Sequence, residues 1–266
     1  MVTGFHTSVR FKDPAQCTAD VRAALASHRV VHLTDVPADI EHGAFYHALA
    51  TQLGTFHFKD EDAATASLER DGWLDIRYDP ASVDRSPYRY GDTRMPLHID
   101  GAYTDVDFDV FFFYCAEAAR FGGATVVADG MEICAYLSAC APDLLRQLLD
   151  TPVVFEKGHK RRTSPIIRYE GGLPVFNWSS TRVSRENPAH VREMAQRFAD
   201  FCEQRIVDGG LARPVLLARG EAVFVHNRYV LHGRTSFFGN RCLMKGVLRF
   251  APEEAEPSQV PAGTLA

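Results

Sequence analysis

The run Val110-Phe-Phe-Phe-Tyr-Cys-Ala116 narrows the possible folds more than any other feature of this chain. A span of membrane takes about 20 helical residues, so an apolar run this short does not cross one. It has the length of a strand covered on both faces, and it places a buried sheet at the centre of the fold. Further strand-like segments lie at 29–34, 123–128, 153–155, 165–169, 173–178, 221–225, 229–231 and 241–250, most of them short and bounded by turn residues. Helices are expected in a few blocks. The first covers 41–53, with Phe45, Leu49 and Leu53 on one face and Gly54 as its cap; a second starts near Asp129, with Glu132 completing a capping box. The third covers 187–206, with Asn187 as N-cap and Pro188 in the first turn. Segments 79–94 and 156–163 read as loops, the first long enough to suggest a lid or binding segment.

This order describes an α+β domain, a sheet sandwich or open barrel with helices packed outside. There is no βαβ rhythm and no GxGxxG, which argues against a dinucleotide fold. The sequence has 266 residues, 46% hydrophobic and 24% charged, within the range of globular proteins. A net charge of -5 gives no sign of a nucleic-acid partner. Cysteines at 17, 115, 134, 140, 202 and 242 form no CxxC pair and read as reduced thiols. The N-terminus carries no signal-peptide pattern, so the expectation is a cytoplasmic protein without a membrane partner. One domain is expected over 1–251, followed by a mobile tail over 252–266.

Chemistry concentrates in two places. In Leu97-His98-Ile99-Asp100 an extended backbone puts residues i and i+2 on one face, so an imidazole and a carboxylate project together. Downstream, Asn227-Arg-Tyr-Val-Leu-His232-Gly-Arg234 supplies a second histidine. Alone, either is more often a core or surface residue than a ligand. Together, two histidines and one carboxylate leave three positions open on an octahedral iron, which suits chemistry needing both a chelator and O₂. A zinc hydrolase and a non-catalytic binding module are the competing classes; catalytic zinc usually takes His₃ or His₂Glu with a nearby base. A third signal is cationic. Arg241, Lys245 and Arg249 alternate with Leu243 and Val247 on one strand face, and a buried cation needs an anion. Arg249 reads as facing water at a sheet edge.

The HID at 98–100, the GGAT at 122–125, the HNRYVLHGRTSFFGNRCLMKG at 226–246 and the LGTF at 53–56 together resemble the taurine dioxygenase superfamily. The NRxxLHGR stretch is similar to its γ-butyrobetaine and trimethyllysine hydroxylase branch. The match runs from about residue 28 to about residue 250. The resemblance implies a double-stranded β-helix (jelly-roll, cupin-like) core with flanking helices. It also implies Fe(II), with 2-oxoglutarate and O₂ as cosubstrates, and oxidation of a small molecule. It carries over His98, Asp100 and His232 as metal ligands, and Thr125 and Arg241 as contacts to 2-oxoglutarate. Lys245 falls where the family's taurine enzyme keeps a substrate-binding arginine. Substrate contacts are expected from Tyr88, Tyr90, Arg94, Trp178, Ser179 and Arg182. Asp100 stands where halogenating members carry a small residue, so the resemblance implies hydroxylation or another oxidation (desaturation, cyclisation or oxidative decarboxylation) rather than halogenation.

Overall fold

The apolar run at 110–116 becomes the middle of a sheet. The structure is a computed structural model and describes residues 2, 4–57, 59–61, 68–82 and 88–250; the tail expected at 252–266 lies outside the described residues. The chain runs through β1 (Gly4–Arg10), α1 (Pro14–Ser27), β2 (His28–Thr34), α2 (His42–Leu53), β3 (Thr55–His57) and β4 (Leu74–Arg77). It continues with β5 (Met95–His98), β6 (Val110–Glu117), β7 (Thr125–Asp129), α3 (Gly130–Cys140), α4 (Pro142–Asp150) and α5 (Ala189–Phe201). It closes with β8 (Arg213–Val215), β9 (Ala222–His226), β10 (Val230–Arg234) and β11 (Cys242–Arg249).

The larger sheet has the order β1-β2-β9-β6-β11-β3, with β4 also paired to β11. The smaller has the order β8-β7-β10-β5 and is antiparallel throughout. Strand β6 shows why its sequence is apolar without alternation. Phe111, Phe113 and Cys115 pack with Val127, Val215 and Val230 of the smaller sheet. Val110, Phe112 and Tyr114 pack outward against Val21, Tyr46 and Leu49 of α1 and α2. A third core, with Leu137, Leu148 and Phe198, covers the smaller sheet from α3, α4 and α5. The layers are therefore helices, sheet, sheet, helices. Each fully buried Phe of this kind contributes roughly 1.5–3 kcal/mol of transfer free energy. No described helix is long and apolar enough to cross a membrane.

Several local expectations change. The N-terminal β1 and α1 lie before any predicted element; Asp13 caps α1 through the amides of Ala15 and Gln16, with Pro14 in the first turn. Asn187 does not cap α5, which begins at Ala189 and ends in a π-helical turn, Cys202–Val207. The Asn187 side chain instead bonds both the amide and the carbonyl of Val154. Glu132 pairs with Arg213 rather than closing a capping box. The expected loop at 156–163 is largely a hairpin, Val153–Lys157 against Lys160–Ser164. Gly54 does follow α2, but in extended backbone; a side chain there would collide with the Arg249 carbonyl.

Candidate metal centre

Strands β5 and β10 are neighbours, and their register sets His98 opposite His232. Directly paired residues bring their side chains together, and the two ring centroids lie 4.1 Å apart. Asp100 lies just past the end of β5, and the two-residue spacing returns its carboxylate to the same place. His98 Nε2 is 3.9 Å from Asp100 Oδ1, and His232 Nε2 is 3.8 Å from Asp100 Oδ2. One donor atom from each residue falls within 4.8 Å of the other two.

Each donor is prepared for a cation. His98 Nδ1 donates to the Pro96 carbonyl at 3.0 Å, which leaves the Nε2 lone pair free. Burial pushes the pKa of both histidines down, that of His232 well below its ordinary value, so both rings are neutral. Burial alone would raise the Asp100 carboxyl, but the Lys245 ammonium beside it outweighs burial and holds it far below the usual range. Lys245 Nζ binds Asp100 Oδ1 at 2.6 Å, whereas Oδ2 is buried with no protein partner. A buried carboxylate oxygen without a partner, beside the neutral His232 imidazole, is costly unless a cation joins it. The set fits a divalent metal with N and O ligands.

Asp100 is also fixed through its backbone. Its amide donates to Asn227 Oδ1 at 2.9 Å, and Asn227 Nδ2 donates to its carbonyl at 3.0 Å. Asn227 occupies the turn between β9 and β10, so one side chain ties Asp100 to the strand carrying His232. Its positioning role depends on a contact across the fold and has no signature in local spacing.

A candidate site for an anion lies beside the smaller sheet. Arg241 and Thr125 are both buried and line one small cavity with Gly122, Gly123, Leu217 and Leu243. Arg241 Nε donates to the Gly123 carbonyl at 3.2 Å, and its Nη1 is buried without a partner. Burial, then Arg234, lowers its pKa to about 10, still a cation at neutral pH. Gly122 and Gly123 have φ of 71° and 75°, a left-handed backbone that favours glycine, and a Cβ on Gly123 would crowd the Arg241 side chain. The GG of the GGAT motif is therefore the floor beneath this arginine.

Residues 4–248 match the family described as Taurine catabolism dioxygenase TauD, TfdA family. The chain belongs to this family. Its members are Fe(II)/2-oxoglutarate-dependent dioxygenases, and the donor set above fits that iron. A mitochondrial trimethyllysine dioxygenase from Gallus gallus is 24% identical over 185 residues, covering 62% of this chain and 43% of that protein. The chain thus spans less than half the length of that relative. In fold it resembles asparagine oxygenase in complex with Fe(II), 2S,3S-3-hydroxyasparagine and succinate, at TM-score 0.65 and 16% identity, over 88% of this chain and 78% of that one. It also resembles the non-heme iron oxygenase OrfP in complex with Fe, succinate and (3S)-hydroxy-L-Arg, at TM-score 0.63 and 15% identity, over 91% and 87%.

The cavity beside the candidate metal ligands measures about 830 Å³ among the described residues. Of the residues expected to meet substrate, Tyr88, Ser179, Arg182 and Lys245 line it. Tyr90, Arg94 and Trp178 do not. Tyr90 turns toward Arg89, whose guanidinium lies 5.0 Å from its ring centroid. Arg94 points to the surface and pairs with Glu203. Trp178 is 1% exposed, edge-on to Phe198 in the core, and its carbonyl receives the Ile99 amide at 2.8 Å. It supports the HID segment from behind. Its apolar neighbours could be read from the sequence, but not which side of the strand faces the core.

Proposed function

We propose that this chain hydroxylates an unactivated C–H bond of a small polar molecule, amino-acid-like or anionic, consuming 2-oxoglutarate and O₂ and releasing succinate and CO₂. His98, Asp100 and His232 hold Fe(II), and the two-sheet sandwich is a double-stranded β-helix. The observation that carries this reading is the trio of donors within 4.8 Å, with one buried Asp100 oxygen lacking a partner.

Iron with its cosubstrates supplies the oxidising power, and the protein supplies position and exclusion of water. Lys245 occupies Asp100 Oδ1 and so presents Oδ2 alone to the metal. Two histidines and one carboxylate would hold the metal while leaving room for a keto acid and O₂. Arg241 and Thr125 receive the distal carboxylate of 2-oxoglutarate, and Arg241 offers its unpartnered Nη1. The hydroxylated asparagine and arginine in the two similar oxygenases support an amino-acid-like substrate. Asp100 fills the place a halide would need, which supports hydroxylation over halogenation.

The test is succinate formation by the Fe(II)-loaded protein across a panel of amino acids and other small anions. We expect one class to raise succinate above the uncoupled rate, and His98→Ala and Asp100→Ala to abolish the rise. Unchanged turnover in either variant would sink the ligand assignment.

A further inference from the structure

Two buried arginines share one aromatic ring. In Arg234-Thr-Ser-Phe237-Phe-Gly-Asn-Arg241 the guanidinium carbons of Arg234 and Arg241 lie 5.0 and 5.2 Å from the Phe237 ring centroid. Both distances are inside the roughly 6 Å over which an aromatic face attracts a cation. Phe237 is itself 7% exposed and held from several sides. Its amide donates to the Asp92 carbonyl at 3.0 Å, its backbone pairs with Gly122, and Tyr78 meets its ring edge-on at 6.4 Å. Gly123 admits this packing. A Cβ there would stand 3.0 Å from Arg241 Cδ and Nε and 3.2 Å from Phe237 Cβ. The Arg241 side chain therefore rests against both the glycine backbone and the phenylalanine ring.

The two arginines have different surroundings. Arg234 donates through Nη1 and Nη2 to the carbonyls of Tyr88, Gly91 and Thr93, and Asp92 favours its charged form. Arg241 donates through Nε to the Gly123 carbonyl, and its Nη1 is buried without a partner. After burial, the strongest influence on its charge is Arg234, of the same sign. Two buried cations over one ring repel each other, and an anion at the unpartnered Nη1 relieves the repulsion. The ring cannot supply that anion, but it decides how the guanidinium lies. A planar guanidinium already stacked on a fixed ring gives up less freedom when its partner arrives.

We infer that Phe237 is a positioning residue for the candidate cosubstrate anchor. Its ring fixes the Arg241 guanidinium so that Nη1 is left to the distal carboxylate of 2-oxoglutarate, while Arg234 adds positive charge from behind. The inference rests on the proposed function for the identity of that carboxylate. It deepens that reading by tracing the preference for a dicarboxylate to a residue outside the lining of the small cavity.

The test is calorimetric titration of the Co(II)-loaded protein with 2-oxoglutarate and with oxalate, which chelates a metal but has no distal carboxylate. The parent is compared with Phe237→Leu, with Phe237→Tyr, and with a protein carrying trifluorophenylalanine at position 237. The fluorinated ring keeps nearly the same shape but attracts cations less. We expect 2-oxoglutarate affinity to fall by about 2–30-fold in Phe237→Leu, the span that a cation over an aromatic face contributes. The fluorinated protein should lose affinity in the same direction, and Phe237→Tyr should bind like the parent. Oxalate affinity should stay that of the parent throughout, because a residue that only supports the fold would move both ligands alike. Should Phe237→Leu fail to fold, the fluorinated protein decides alone. Undiminished 2-oxoglutarate affinity in the fluorinated protein, or an equal loss for oxalate, would overturn the inference. Glutarate titrated into the metal-free parent and fluorinated proteins reads the same contact without metal. Absence of Co(II) binding would strike at the metal reading instead, whereas equal glutarate affinity in the two proteins would still overturn the role of Phe237.

Discussion

Asp100 is held from three directions. Lys245 takes Oδ1, the Asn227 amide grips the backbone on both sides, and the His98 and His232 imidazoles lie against Oδ1 and Oδ2. Removing the Asn227 grip leaves the three donor side chains unchanged but lets the carboxylate wander. Asn227→Ala should weaken Co(II) or Fe(II) binding by about 10–100-fold, read by metal titration, without removing any ligand. Wild-type metal affinity in this variant would mean that β5 alone fixes Asp100. The pairing of His98 with Asp100 was legible because i and i+2 spacing is a local property of extended chain, whereas His232 as the third candidate donor came from the family resemblance. Asn227 was not legible, because its partner lies 127 residues away. Trp178 misled for a related reason: a large aromatic near a site is as readily a support as a contact, and burial decides which.

At the scale of single elements, β10 carries more than a ligand. Two residues beyond His232, Arg234 is buried and donates to the carbonyls of Tyr88 at 3.0 Å, Gly91 at 3.0 Å and Thr93 at 2.6 Å. The segment before β5, which supplies Tyr88 and Arg89 to the cavity wall, is thus stapled to the strand of the distal histidine. Each hydrogen bond from a charged donor of this kind contributes roughly 1.5–3 kcal/mol. Arg234→Gln should therefore expose residues 88–94 to trypsin, with cleavage after Arg89 and Arg94 appearing well before general digestion. An unchanged proteolysis pattern would show that the segment is held elsewhere. Strands with dense apolar residues, β6 and β9, were readable from sequence to within a few positions. The hairpin over the cavity was not. Its Lys-Gly-His-Lys-Arg-Arg run looks like a solvated loop, and pairing across five residues overrides the poor strand propensity of its charges.

For the whole molecule, the layered arrangement follows from β6 being apolar on both faces, and it divides the interior into three cores. The cysteines report on all three. Cys17, Cys115, Cys134 and Cys202 are buried, and Cys140 is exposed. Burial pushes the Cys17 thiol up to about 12 and those of Cys115 and Cys134 up to about 11, so little thiolate exists at neutral pH. A neutral disulfide reagent should modify Cys140 first, while the four buried thiols react only as the chain unfolds in urea. Rapid modification of Cys115 or Cys202 in the native protein would contradict the layering. Cys140, at the last turn of α3, is exposed because that end of the helix faces water, and Cys242 on β11 is half-buried.

In the proposed function, His98, Asp100 and His232 present one face to iron while Arg241 anchors 2-oxoglutarate. Anaerobic Fe(II) protein titrated with 2-oxoglutarate tests all of this at once, through the weak visible metal-to-ligand charge-transfer absorption of a chelated keto acid. The account predicts a saturable band in the parent protein, none in Asp100→Ala, and saturation only at much higher 2-oxoglutarate in Arg241→Ala. Bound iron with no band at any cosubstrate concentration would contradict it.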